Sequence, residues 1–185
     1  MQPESGLPSN CSYKTMKTIS QFAAVTITAL TLATTGFGAD AVSREDKEFL
    51  KNAGELGVTE VELGKLAVEK ASSPELKALG ARLVAAHTKS NQELVALAKA
   101  KGVEMTVEPT VVQKKMLADF QAKSGMEFDK ELMEHVRKDH DKGVHTFADA
   151  AADSKDADIK AFAVKNVAMM REHHKMAGGT EDASH

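Results

Sequence analysis

Near its C-terminal end the chain reads MMREHHKMAGG, from Met169 to Gly179. His173 and His174 stand there among methionines and alanines, on what the pattern reads as the last turns of a helix. Imidazole can ligate a metal, move a proton near neutral pH, or serve as a hydrogen-bonded core group. Which of these it does depends on the helix face it occupies. Placed at about 100° per residue, four helical segments each carry one ionisable residue in the middle of an apolar stripe. Glu60 lies among Phe49, Ala53, Leu56, Leu63 and Ala67, and His87 among Leu76, Leu79, Leu83, Leu94 and Leu97. His140 lies among Leu132, Met133, Val136, Val144, Phe147 and Ala151, and His173 among Ile159, Phe162, Ala163, Met169, Met170 and Ala177. His135, Asp139 and His174 fall toward the edges of their stripes, while Glu62 and His145 point away.

The four inward residues also agree in depth. Tight turns are expected near residues 72 and 155; Glu60 and His87 lie 12 and 15 residues from the first, His140 and His173 15 and 18 from the second. At about 1.5 Å per residue this puts all four roughly 18–27 Å from a helix end, near the middle of helices about 40 Å long. A lone buried carboxylate costs several kcal/mol or gives up its charge, so four such groups at one level predict mutual satisfaction. Glu60 can accept from an imidazole N–H with no metal. Alternatively Glu60, His87, His140 and His173 bind one divalent transition metal (Zn, Fe or Mn), since imidazole and carboxylate are common ligands of such ions.

Other chemistries are excluded. A carboxylate-bridged di-iron site needs Glu-x-x-His on two helices, but Val84, Arg137 and Met170 stand three residues before His87, His140 and His173. No C-x-x-C-H exists for covalent haem. No nucleophile triad or phosphate loop is present. Met169, Met170 and Met176 read as core filler, and Asp129 as a first-turn charge rather than a ligand. His174 is expected to be a partly exposed neighbour of the site, with His135 and His145 solvated.

The elements that must position these residues are bounded by recognisable signals. Ser43 caps a helix ending near Ala71, with Glu45 and Asp46 in its first turn. Ser73 caps the next, with Pro74 at its first position, and Gly102 ends it. A short helix is expected from about Thr110 to Lys123, a long one from about Glu127 to Asp153, and a last one from about Asp156 to Ala177. Each tight turn makes an antiparallel pair, and residues 102–126 are long enough to carry the short helix back along the molecule. The expected fold is all-α: a ferritin-like four-helix bundle with an additional short helix in the connection between the two pairs. An up-down-up-down arrangement is the alternative.

Composition agrees. Among 185 residues only 4% are aromatic and Trp is absent, which favours helices over sheets. The net charge of −3 and the lack of a basic stripe give no argument for nucleic acid. From Met16 the chain reads MKTISQFAAVTITALTLATTGFGADAV: Lys17, an uncharged run, then Ala39-Asp40-Ala41 as a small-x-small cleavage site. Residues 16–41 are therefore expected to be a secretory signal peptide rather than a retained anchor, because Thr and Gly dilute the apolar run. Residues 1–15 lack signal character, and translation is expected to begin at Met16. The folded domain is expected over 42–178, with a frayed tail over 179–185. The single cysteine, Cys11, falls in the leader, so the mature chain has neither disulfide nor thiolate ligand. No transmembrane segment is expected in it.

Several stretches together resemble a known family. EVELGKLAVEKA (Glu60–Ala71), HTKSNQEL (His87–Leu94), SGMEFDKEL (Ser124–Leu132), Asp139-His140 and His173 are similar in order and spacing to domain of unknown function 4142, an exported bacterial family. The resemblance covers about residues 44–177 and implies a ferritin-like helical bundle, often labelled an outer-membrane protein. It implies that Glu60, His87, His140 and His173 are the family's recurrent polar positions. Ala86 stands where the family usually has Asp, Leu132 where it has Tyr, and Val167-Ala168 where it has Leu-Pro. Loss of the Asp and Tyr removes possible outer partners of a metal site.

Three functions follow as expectations. The first is a non-catalytic, periplasmic or envelope-associated protein, with or without a protein partner, that carries a buried Glu/His cluster and serves an envelope or stress-related role. The second is a single-site metal binder using Glu60, His87, His140 and His173. The third is a metal-dependent oxidoreductase.

Overall fold

The computed structural model describes residues 42–180. The expected leader, signal segment and last five residues lie outside them. Five helices follow in order: α1 (Arg44–Lys70), α2 (Pro74–Ala100), α3 (Val111–Ala122), α4 (Gly125–Asp153) and α5 (Ala157–Met176). No strand occurs among the described residues, and no helix there is long and apolar enough to cross a membrane.

The helix starts are local chemistry. Ser43 and Ser73 accept from the backbone N–H groups of Asp46 and Leu76 at 2.9 and 3.0 Å. Thr110 and Gln113 satisfy each other's backbone N–H groups in a capping box. Asp156 accepts from the N–H groups of both Asp158 and Ile159. α4 has no side-chain cap and instead starts at Gly125 with φ 66°, two residues before the expected Glu127. This left-handed entry suits glycine, and it lets the chain reverse out of α3.

The core forms two apolar clusters. One contains Phe49, Leu50 and Ala53 of α1, Leu94 and Ala98 of α2, Val144 and Phe147 of α4, and Ile159 and Phe162 of α5. The other contains Leu63 and Ala67 of α1, Leu76 to Leu83 of α2, Phe128 to Val136 of α4, and Ala177. The start of α1 thus shares a cluster with the ends of α2 and α4 and the start of α5. It follows that α2 and α4 run in the same direction, each antiparallel to α1 and α5. Residues 101–124 must therefore travel the length of the molecule, which decides between the two expected topologies in favour of the crossover.

That connection lies along α1. Gln113 donates to the Glu55 carbonyl at 3.2 Å, Phe120 is buried against Phe128, and Lys70 donates to the carbonyls of Phe120 and Gln121. Asp129 does more than charge the first turns of α4. Its carboxylate accepts from the N–H groups of Ser72 and Ser73 at 2.8–3.0 Å and so pins the α1–α2 turn. At the other end, Lys101 pairs with Asp156 and Asp158 and ties α2 to α5. α1 and α2 approach closely at Gly64 and Gly80: a Cβ on Gly80 would sit 2.7 Å from the Gly64 carbonyl oxygen.

Candidate metal centre

Between the two apolar clusters lies a polar layer. His87 follows Leu83, His140 lies between Val136 and Val144, and His173 between Met170 and Ala177. Each is essentially excluded from solvent, at 1%, 0% and 2% exposure, as is Glu60 at 0%. The helical repeat that buries each apolar stripe carries these residues inward with it, so helix packing brings all four to one level.

Three ring nitrogens converge. His140 Nε2 lies 3.3 Å from His87 Nε2 and 3.2 Å from His173 Nδ1. The ring centroids are 5.1–5.4 Å apart and mutually tilted, so the rings meet at their nitrogens rather than stacking. His87, His140 and His173 each offer one nitrogen, and these three atoms all lie within 4.8 Å of one another. Such a group could hold a metal ion.

Glu60 is placed differently. Its Oε1 lies 4.0 Å from His140 Nδ1, the other nitrogen of that ring, and so not beside the atom the three histidines share. Both Glu60 oxygens are buried without a hydrogen-bond partner. His140 Nδ1 is 2.9 Å from the Val136 carbonyl, to which it must donate, since a carbonyl cannot. This fixes the tautomer: the neutral ring carries its proton on Nδ1 and presents a lone pair at Nε2.

The electrostatics keep the cluster neutral. Burial lowers the His87 pKa well below the ordinary imidazole value, with the charges of His140 and His173 adding to it. Burial, then the His173 charge, lowers His140 to about 4, and burial lowers His173. Burial raises the Glu60 carboxyl well above its ordinary value, and the nearby Asp139 charge raises it further. At neutral pH the layer therefore holds neutral imidazoles, the form that binds metals.

Two expectations about neighbouring histidines are corrected. His174 is buried, at 6% exposure, rather than partly exposed. Its Nε2 faces Asp141 at 4.0 Å, and the chain closes over its ring, since a Cβ on Gly179 would overlap it. The chain remains hydrogen-bonded through Gly179, whose N–H reaches the His174 carbonyl. His135 is not solvated: it is half-buried, with its ring against Phe120 and its Nε2 3.2 Å from Asp139. Both depend on segments distant along the helix wheel, which is why the wheel alone misplaced them. His145 is exposed, as expected. Met170 is buried in the core, with Met169 and Met176 packed against it.

Sequence reasoning passed over one buried polar pair. Ser90 donates to Asn166 Oδ1 at 2.7 Å, and Asn166 Nδ2 donates to the Phe162 carbonyl at 2.8 Å. Ser90 lies three residues after His87 and Asn166 seven before His173, spacings that place each on the same face as its histidine. That spacing was the available signal. The pair ties α2 to α5 about one turn from His87 and two from His173. Leu132, where the resembling family has Tyr, is wholly buried and fills the second apolar cluster.

The family described as "Domain of unknown function (DUF4142)" matches residues 32–179. The chain belongs to that family. No curated protein matches it. Among solved structures, a DUF305 fragment from Deinococcus radiodurans is similar, with a TM-score of 0.64 and 10% identity, over 74% of this chain and 95% of that one. At that identity the likeness concerns the fold alone. For this DUF4142 member, an all-helical architecture and a buried three-histidine cluster are therefore the structural facts from which function must be argued.

Proposed function

We propose that this DUF4142 protein is an exported, ferritin-like four-helix bundle that binds one divalent transition metal through His87, His140 and His173, with Glu60 as the supporting carboxylate. The carrying observation is the spacing of the nitrogens. Three imidazoles bound tetrahedrally at about 2.05 Å would have nitrogens about 3.3 Å apart. Two of the three pairs in the cluster stand at 3.3 and 3.2 Å, and all three nitrogens lie within 4.8 Å of one another. Without an ion, His140 Nε2 has a single lone pair facing two other ring nitrogens, and no arrangement of protons gives both a well-directed hydrogen bond.

The surroundings suit such a role. The donation from His140 Nδ1 to the Val136 carbonyl is the outer contact that orients a ligating imidazole. A dication bound by three neutral rings leaves uncompensated charge in an apolar interior. Burial raises the Glu60 carboxyl, and a dication nearby would draw it toward its ionised form and so supply part of the balance. Any proton that Glu60 holds is then expected to be released on binding. Three imidazoles favour Zn or Fe over Mn among the candidate ions. Export to the periplasm rests on the signal-like segment at 16–41, and the ferritin-like arrangement is supported by the long crossover between antiparallel pairs.

Elemental analysis of protein purified without chelator tests the metal reading. About one ion per chain is expected, lost in His87→Ala and His173→Ala but kept in His145→Ala. No metal in any of them after incubation with Zn, Fe and Mn would replace this reading with a hydrogen-bonded polar cluster in a non-catalytic envelope protein. Metal-dependent turnover of peroxide would extend it to an oxidoreductase.

A further inference from the structure

At the end of the molecule remote from the α1–α2 turn, a cavity of about 510 Å³ opens between the first turns of α1 and the last turns of α4. Glu45, Asp46 and Glu48 line it from α1, and Asp149 and Asp153 from α4. The apolar contribution comes from Phe49 and Ala150, and the one cation on its wall is Lys155. Five carboxylates therefore face a single ammonium group.

Glu45 and Asp46 also favour the start of α1, but three observations point to a ligand for the charge of the cavity as a whole. None of the five carboxylates forms an ion pair with a described residue, whereas Glu62, Glu93, Asp119, Glu131, Glu134 and Glu172 are each paired with lysine or arginine. Asp46 is 94% buried, since its exposure is 6%, and it lines the cavity. Its backbone N–H is satisfied by Ser43, but its carboxylate has no hydrogen-bond or ion-pair partner among the described residues. Finally, Asp149 and Asp153 lie at the C-terminal end of α4, whose last turn holds no basic residue. Carboxylates there oppose the helix dipole, so they weaken the helix they stand on.

The character of the cavity restricts its ligand. Among the described residues, a trio of ligand atoms within 4.8 Å is found at the histidine cluster and not here, so the carboxylates are too dispersed to form a ready shell for a bare metal ion. Dispersed negative charge around an apolar wall instead matches a molecule whose positive charges are separated by methylene groups. The volume lies within the usual range of small-molecule sites, about 300–1,000 Å³. We propose that this cavity binds an aliphatic polyamine, with Asp46 and the α4 aspartates taking its ammonium groups and Phe49 and Ala150 its methylenes.

Calorimetric titration of the purified chain with spermidine, at low salt, tests this. Saturable one-to-one binding is expected, with affinity falling at least about tenfold in Asp46→Asn and again as salt is raised. Asp149→Asn combined with Asp153→Asn changes exposed positions only and should weaken binding to a similar degree. It keeps the test decisive if Asp46→Asn proves unstable. Absence of saturation up to about 5 mM spermidine would overturn the proposal, as would unchanged affinity in the double variant. Equal or tighter binding of Mg²⁺ or Ca²⁺ at this cavity would also overturn it, by making it an inorganic cation site.

Discussion

Acidification should destabilise the metal-free protein through its buried imidazoles. His140 is held at about 4, first by burial and then by the His173 charge. In the unfolded chain an imidazole titrates at about 6.5. The unfolded state therefore binds the proton more readily. The stability gained by keeping His140 neutral is complete above about pH 6.5 and is lost as pH falls toward about 4. The whole interval between those values corresponds to about 3 kcal/mol, and about 2 kcal/mol of it is lost by about pH 5. His87, lowered by the same cause, acts in the same direction. The assay is urea denaturation of chelator-stripped protein at about pH 7.5 and about pH 5, with the free energies extrapolated linearly to water. His140→Gln removes one titrating group, so its stability should fall less across this interval than that of the wild type, by about 2 kcal/mol. Parallel pH dependence in the two proteins would refute the reasoning, because it would mean that His140 titrates alike in the folded and unfolded chains.

Glu60 predicts the opposite slope. Its carboxyl pKa is raised by burial, so stability is lost as pH rises above the unfolded carboxylate value. Metal-free Glu60→Met should be more stable than wild type at about pH 7.5, by about 1–3 kcal/mol in thermal or urea melts; a less stable variant would show that Glu60 has a partner. Gly80→Ala places a Cβ 2.6 Å from that of Ala67 and 2.7 Å from the Gly64 carbonyl oxygen. Forcing α1 and α2 apart should cost about 1–3 kcal/mol and outweigh the helix-propensity gain of about 1 kcal/mol, seen as a lower Tm. A higher Tm would mean the helices separate freely.

The helix ends were legible because capping is local. Ser43, Ser73 with Pro74, Thr110 with Gln113, and Asp156 each act within one turn, and the observed helices begin and end within about two residues of expectation. The inward face of each helix was legible for the same reason. Burial follows a 3.6-residue period, and Glu60, His87, His140 and His173 sit on it at matching distances from the turns. Their shared depth was thus set by the sequence alone.

Which atoms meet was not. The direction of α4 relative to α2 depends on the path of residues 101–124, which are long enough to serve either topology. Contacts of α3 with α1, at Glu55 and at Lys70, select the crossover. His174 is buried by Asp141 and Gly179, and His135 by Phe120, partners that a single helix wheel cannot include. The wheel also gives no information about rotamers. It placed Glu60 with the histidines, but the packed helices set its carboxylate against His140 Nδ1 and leave Nε2 to His87 and His173. Periodicity fixes the side from which each residue enters the core. The atom it presents there depends on side-chain torsions, which only the neighbouring helices constrain.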